Sequence, residues 1–94
     1  MEGDDLEGAM AAYARCDSLF ALAERTDPDW IEPITLRGWV AYRQSREATD
    51  PDRIIESVDR AIHHSERALA MDPNHASSLE LRGTARYWKW LLAV

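Results

Sequence analysis

At 100° per residue, the stretch 51–71 sets Ile54, Ile55, Val58, Ala61, Ile62, Ser65, Ala68 and Leu69 on one broad arc. Glu56, Asp59, Arg60, His63 and Arg67 lie opposite, so this stretch reads as a helix with one buried and one wet side. The stretch 30–48 differs: Ile31, Ile34, Gly38, Ala41 and Tyr42 form one apolar face, and Leu36, Val40 and Trp39 a second. A helix that is apolar on two faces packs between two neighbours, which favours layered helix pairs over four equivalent helices about one axis. Three Asp-Pro pairs, Asp27-Pro28, Asp50-Pro51 and Asp72-Pro73, punctuate the chain. They divide it into four segments of helical length, about 5–25, 30–48, 51–71 and 75–93, rich in good helix formers and free of alternating β-branched residues. The prediction is an all-α fold. Asp29 with Glu32 and Thr49 with Asp52 come close to capping-box spacing, and Pro33 and Pro51 fall in first turns, where a missing N–H costs little.

The chain also matches itself. A shift of 45 residues lays Asp27-Pro28 on Asp72-Pro73, Leu36-Arg37-Gly38 on Leu81-Arg82-Gly83, Tyr42 on Tyr87 and Ile34 on Leu79. Cys16 falls on Ala61 and Ala23 on Ala68. A glycine inside a helix costs about 0.8–1 kcal/mol relative to alanine, so two of them at one repeat position imply the close approach of a packed helix.

These residues resemble the tetratricopeptide repeat family, whose members stack helix pairs, A and B, into a right-handed α-solenoid. Ile34, Gly38, Ala61, Ala68 and Pro73 match one repeat; Cys16, Phe20, Ala23 and Pro28 match the second half of a preceding one; Leu79 and Gly83 match the first half of a following one. The resemblance implies a single domain over 1–94, with a half repeat at 5–28, a full repeat at 30–73 and a half repeat at 75–94. Ser65 stands where the family has a bulky residue, Arg37 and Arg82 stand where it has leucine, and the period is 45 instead of about 34. About eleven residues are therefore inserted around Arg46–Arg53, in helix A, helix B or the turn between them.

Ninety-four residues suffice for one small domain, and a formal charge of −6 argues against a nucleic-acid or anionic membrane surface. A lone cysteine and the lack of a leader-like apolar stretch make the cytoplasm the expected compartment. Chemistry is sparse. His63, His64, Glu66 and Asp59 have metal-like spacings, but adjacent helical residues do not face each other, so a solvated helix face is the expected arrangement. His75 follows Pro73 in a turn and reads as a capping or surface residue. Cys16 shares a face with Ala9, Ala12, Tyr13, Phe20 and Ala23 and is expected to be a small buried residue. No phosphate loop, nucleophile elbow or metal cluster is legible, so neither enzyme activity nor a cofactor is expected.

Aromatic residues carry the functional reading. In the family that the chain resembles, ligands lie along the concave face of successive A helices. This maps to Glu32, Thr35, Trp39, Tyr42 and Arg43 in one helix and Ser77, Glu80, Thr84, Tyr87 and Trp88 in the next. Trp39, Tyr42 and Arg43 have the composition of binding hot spots, although packing against neighbouring helices accounts for Trp39 equally well. The expected function is a noncatalytic protein–protein interaction scaffold that binds a peptide or helix of a partner protein. The alternative is a regulatory fragment of a larger enzyme, such as a signalling kinase or glycosyltransferase, with catalysis outside this chain. The run Tyr87–Val94 is apolar on several faces and carries no closing cap, so the chain is expected to continue or to pair with a second copy. A closed homodimer is expected, with Trp88, Trp90, Leu91 and Leu92 at the contact.

Overall fold

The computed structural model describes residues 2–93, with side chains from Leu6 onward; Met1 and Val94, the ends of the expected domain, lie outside the described residues. The fold is all-α: α1 (Glu2–Thr26), α2 (Glu32–Glu47), α3 (Pro51–Met71) and α4 (Ala76–Ala93), with no strand among the described residues.

Two of the start signals act differently from their expected roles. Helix α2 begins later than residue 30, because the Asp29–Glu32 capping box is not made: Ile31 takes the N-cap position with helical dihedrals and no side-chain cap. At α3 the cap is Asp50, not Thr49, and the Asp50 carboxylate accepts from the Asp52 N–H at 3.0 Å. Pro51 at the first helical position has no N–H to satisfy, so the residue directly before it is best placed to reach the next free amide.

The 45-residue correspondence reappears in the turns. Asp27 N donates to Ala23 O at 3.0 Å, and Asp72 N donates to Ala68 O at 3.0 Å; Trp30 N donates to Asp27 O at 3.1 Å, and His75 N donates to Asp72 O at 3.1 Å. Helices fill most of the 45-residue period, since only residues 48–50 separate α2 from α3.

Packing is sequential in a slab of 41 × 32 × 17 Å: α1 lies on α2, α2 on α3, α3 on α4, and α4 also reaches α2. The backbone of α1 approaches neither α3 nor α4, so the four helices share no common axis. Ala41, Ala61, Leu81 and Ala85 form the core where α2, α3 and α4 meet, with Trp39, Tyr42 and Ile62 packed against it. Small side chains let the backbones come close there. Gly38 is the extreme case: a Cβ at this position would overlap Leu81 Cδ2 and stand 3.3 Å from His64 Cβ and 3.4 Å from Ala61 O. Ser65 is fully buried at no polar cost, because its hydroxyl donates to Ile62 O one turn back at 2.6 Å.

Burial departs from the helical wheel at specific places. Cys16, expected inside, is exposed; α1 has a neighbour on one side only and keeps its other flank in solvent. His64, which the helical wheel sets at the flank of the apolar arc, is buried, and Arg67, expected on the wet side, is half-buried against α1. Leu36 and Ile55, both read as apolar-face residues, are exposed.

Candidate functional site

Several of the residues read as a groove form the seam between α2 and α4. Thr35 is a correction: its side chain is buried and shares a hydrogen bond of 2.9 Å with the Ser78 hydroxyl, so it offers nothing to a partner. Trp39 is half-buried, and its Nε1 donates to Ser77 Oγ across the seam at 3.0 Å. Tyr42, also half-buried, meets the Trp39 ring edge-on at 6.0 Å between centroids. Further along, the Arg46 guanidinium stacks over the Trp88 ring at 4.2 Å, and Trp88 Nε1 is buried without an acceptor among the described residues. Arg46 went unnoticed in the sequence, because a last-turn arginine reads as a solvated charge until α4 is placed beside it.

The remaining candidates divide between two surfaces. On α2, Glu32, Leu36 and Arg43 are exposed, and Arg43 reaches toward the Tyr13 hydroxyl of α1. Glu32 Oε1 lies 3.3 Å from His75 Nε2, while His75 Nδ1 is 2.7 Å from Ser78 Oγ, so His75 ties the turn before α4 to the start of α2. On α4, Glu80 and Tyr87 are exposed and Thr84 is half-buried. Tyr87 stacks on Trp90, with centroids 6.0 Å apart, and both point away from the seam. Trp90 and Leu91 of the expected self-association set are exposed, whereas Trp88 and Leu92 are half-buried.

A charged cluster joins the first three helices. Arg37 Nε donates to Asp17 Oδ1 at 2.9 Å and Arg37 Nη1 to Glu24 Oε2 at 3.1 Å, while Arg67 Nη2 donates to Glu24 Oε1. The Asp17 hydrogen bond is the main reason that the Arg37 guanidinium is held charged more firmly than a free one. His64 sits beneath this cluster, with its Nδ1 3.0 Å from Arg67 Nη1. Burial, reinforced by Arg37 and Arg67, lowers its pKa to about 4, which keeps the ring neutral at pH 7. Periodicity cannot announce this cluster, since the partners lie on three helices and 13 to 43 residues apart.

Among the described residues, no group of three or more His, Cys, Asp or Glu side chains is placed to hold a metal. The His63 and His64 rings lie 5.7 Å apart between centroids with their planes inclined at 51°. An open cleft of about 640 Å³ between the N-terminal half of α1 and the α2–α3 connection carries charges of both signs, including Glu7, Asp50, Arg53, Glu56 and Arg60. Arg60 in that cleft already donates to Gln44 and Ser57. No helix of the described residues is long and apolar enough to cross a membrane. Comparison with protein-family models, with curated proteins and with solved structures gives no match to this chain.

Proposed function

We propose that the chain is a noncatalytic protein–protein interaction module, similar in construction to tetratricopeptide repeats, that takes an extended segment or helix of a partner protein against α2. The observation that carries this reading is the arrangement around Trp39. Its indole is fixed by a hydrogen bond to Ser77 on α4, while Leu36 and Arg43, one turn before and one turn after it on α2, and Glu32 at the start of the helix are exposed. A ring held from behind loses little freedom when a ligand covers it, and a guanidinium fork beside it can take a carboxylate in two parallel hydrogen bonds. Apolar area with one flanking charge of each sign suits a partner segment that carries an apolar anchor with a carboxylate on one side and a basic residue on the other. The sequential packing and the repeated turns support the likeness to stacked helix pairs.

The test is a peptide library displayed against the wild-type chain, followed by titration of the selected peptides. Arg43→Glu and Trp39→Ala are expected to weaken them by tenfold or more, about 1.4 kcal/mol, with helical circular dichroism unchanged for Arg43→Glu. Selected peptides that bind Arg43→Glu as tightly as wild type refute the assignment.

A further inference from the structure

Helix α1 is attached unlike the other three. Helices α2, α3 and α4 each carry buried side chains and share the Ala41, Ala61, Leu81 and Ala85 core, whereas no side chain from Leu6 to Thr26 is buried and none belongs to that core. Tyr13 and Phe20 are only half-buried, and Leu19 and Leu22 are exposed. The backbone of α1 approaches α2 alone.

Charge supplies what apolar burial does not. Among the described residues, every hydrogen bond from an α1 side chain to another helix ends on a charged group: Tyr13 donates to Glu47 at 3.1 Å, Arg37 spans Asp17 and Glu24, and Arg67 reaches Glu24. Asp17 and Glu24 stand seven residues apart, which puts both on one face of α1, with Tyr13 and Phe20 in the same stripe. They are also the only ion-pair partners of Arg37 and Arg67 among the described residues. All four of these side chains touch water, and each returns to it when α1 moves away, so no charge is left buried and unpaired. The connection permits such a movement, because Asp27, Pro28, Asp29 and Trp30 are exposed and α2 starts at Ile31 without a side-chain cap.

We propose that α1 is a releasable strap: it lifts as a unit from the α2–α4 body and frees the face that carries Arg37 and Arg67 for the acidic side of a partner's helix. The seated α1 defines the chemistry of that helix, two carboxylates seven residues apart with an aromatic side chain between them. Arg37 lies nearly opposite Trp39 on α2, so this inference stands apart from the proposed use of the Trp39 face.

Two measurements on the whole chain test it. In amide hydrogen exchange, the amides of α1 are expected to exchange through a common opening that is easier than the one exposing the slowest amides of α3 and α4. Leu81→Val weakens the core from α4, which does not approach α1, and is expected to speed exchange in the core while leaving α1 unchanged. Glu24→Gln is expected to speed α1 several-fold. If Leu81→Val speeds α1 and the core alike, α1 opens only with global unfolding and the proposal fails. The second measurement titrates a synthetic peptide of residues 2–26 against the chain. The chain's own α1 occupies the seat in the wild type, so the peptide is expected to bind the Glu24→Gln chain several-fold more tightly, because the seat is free for a larger fraction of the time. The same peptide with Asp17→Asn and Glu24→Gln is expected to bind more weakly. Equal affinity of the unmodified peptide for the two chains, or no binding to either, overturns the proposal.

Discussion

Alanine at Gly38 and alanine at Gly83 are the same substitution at the same repeat position, and the packing predicts opposite signs for them. Both gain helix propensity, about 0.8–1 kcal/mol. At Gly83 nothing lies within 4 Å of the new Cβ, so Gly83→Ala is expected to keep that gain in the monomer. At Gly38 the Cβ would overlap Leu81 Cδ2, with His64 Cβ and Ala61 O at 3.3 and 3.4 Å on its other sides. A leucine methyl can swing aside where there is room, but Leu81 is 0% exposed and belongs to the Ala41, Ala61 and Ala85 core. Moving it means shifting α4 or forcing an unfavourable rotamer, and overpacking of this kind costs about 1–3 kcal/mol. After the propensity gain, Gly38→Ala is expected to lose about 1 kcal/mol. Urea unfolding followed by circular dichroism, at concentrations where the chain is monomeric, reads both variants. With a slope of about 1–2 kcal/mol per molar, their midpoints should separate by roughly 1–2 M. Leu81→Ala costs about 2–5 kcal/mol alone and should cost less on a Gly38→Ala background, where the overlap is gone. If Gly38→Ala proves as stable as Gly83→Ala, the close approach of α3 and α4 at Gly38 is refuted.

Three further outcomes follow from single interactions. His64 stays neutral in the fold down to about pH 4, whereas an unfolded histidine titrates near 6.5, so the unfolded chain binds more protons between these values and stability falls as the pH drops through that window. The loss attributable to His64, facing Arg37 of α2, Arg67 and His63 of α3 and Asp17 of α1, is about 2–3 kcal/mol; His64→Gln should flatten this part of the urea-midpoint profile, and equal slopes would refute it. Glu24→Gln takes the shared carboxylate from Arg37 and Arg67, with Glu24 only 16% exposed, and is expected to cost about 1–2 kcal/mol in thermal or urea unfolding. Asp50→Ala removes the side-chain cap of α3 and should cost about 1 kcal/mol, while Thr49→Ala, which removes no such cap, should cost little.

The helices were legible in the sequence because Asp-Pro pairs and a 3.6-residue period are local signals. Proline stops a helix wherever the chain goes next, and the bounds of α3 follow directly from Pro51 and Asp72. Capping residues were less legible, since Thr49 and Asp50 are both competent and only the direction of the chain at Pro51 selects between them. The two glycines were read correctly as a shared position but not as different environments. The sequence around each is nearly the same, and what separates them is the presence of α3 over one and of open solvent over the other.

The partner-facing residues were the least legible, for a related reason. A face defined by register alone includes everything within an arc of about 100°, yet α4 approaches α2 inside that arc and divides it. Thr35 at one edge is sealed against Ser78, Trp39 in the middle is pinned by Ser77 but keeps a free edge, and Arg43 beyond it is exposed. Trp39 is therefore at once part of the α2–α4 seam and part of the surface proposed to bind a partner, so the two readings of this residue do not compete. A tryptophan fixed from behind by a neighbouring helix is a rigid anchor; freed from Ser77, the same ring would lose rotamer freedom on binding at a cost of roughly 0.5–1.5 kcal/mol. Ser77→Ala should accordingly weaken a partner held by Trp39 without touching that partner, and its effect should vanish on a Trp39→Ala background.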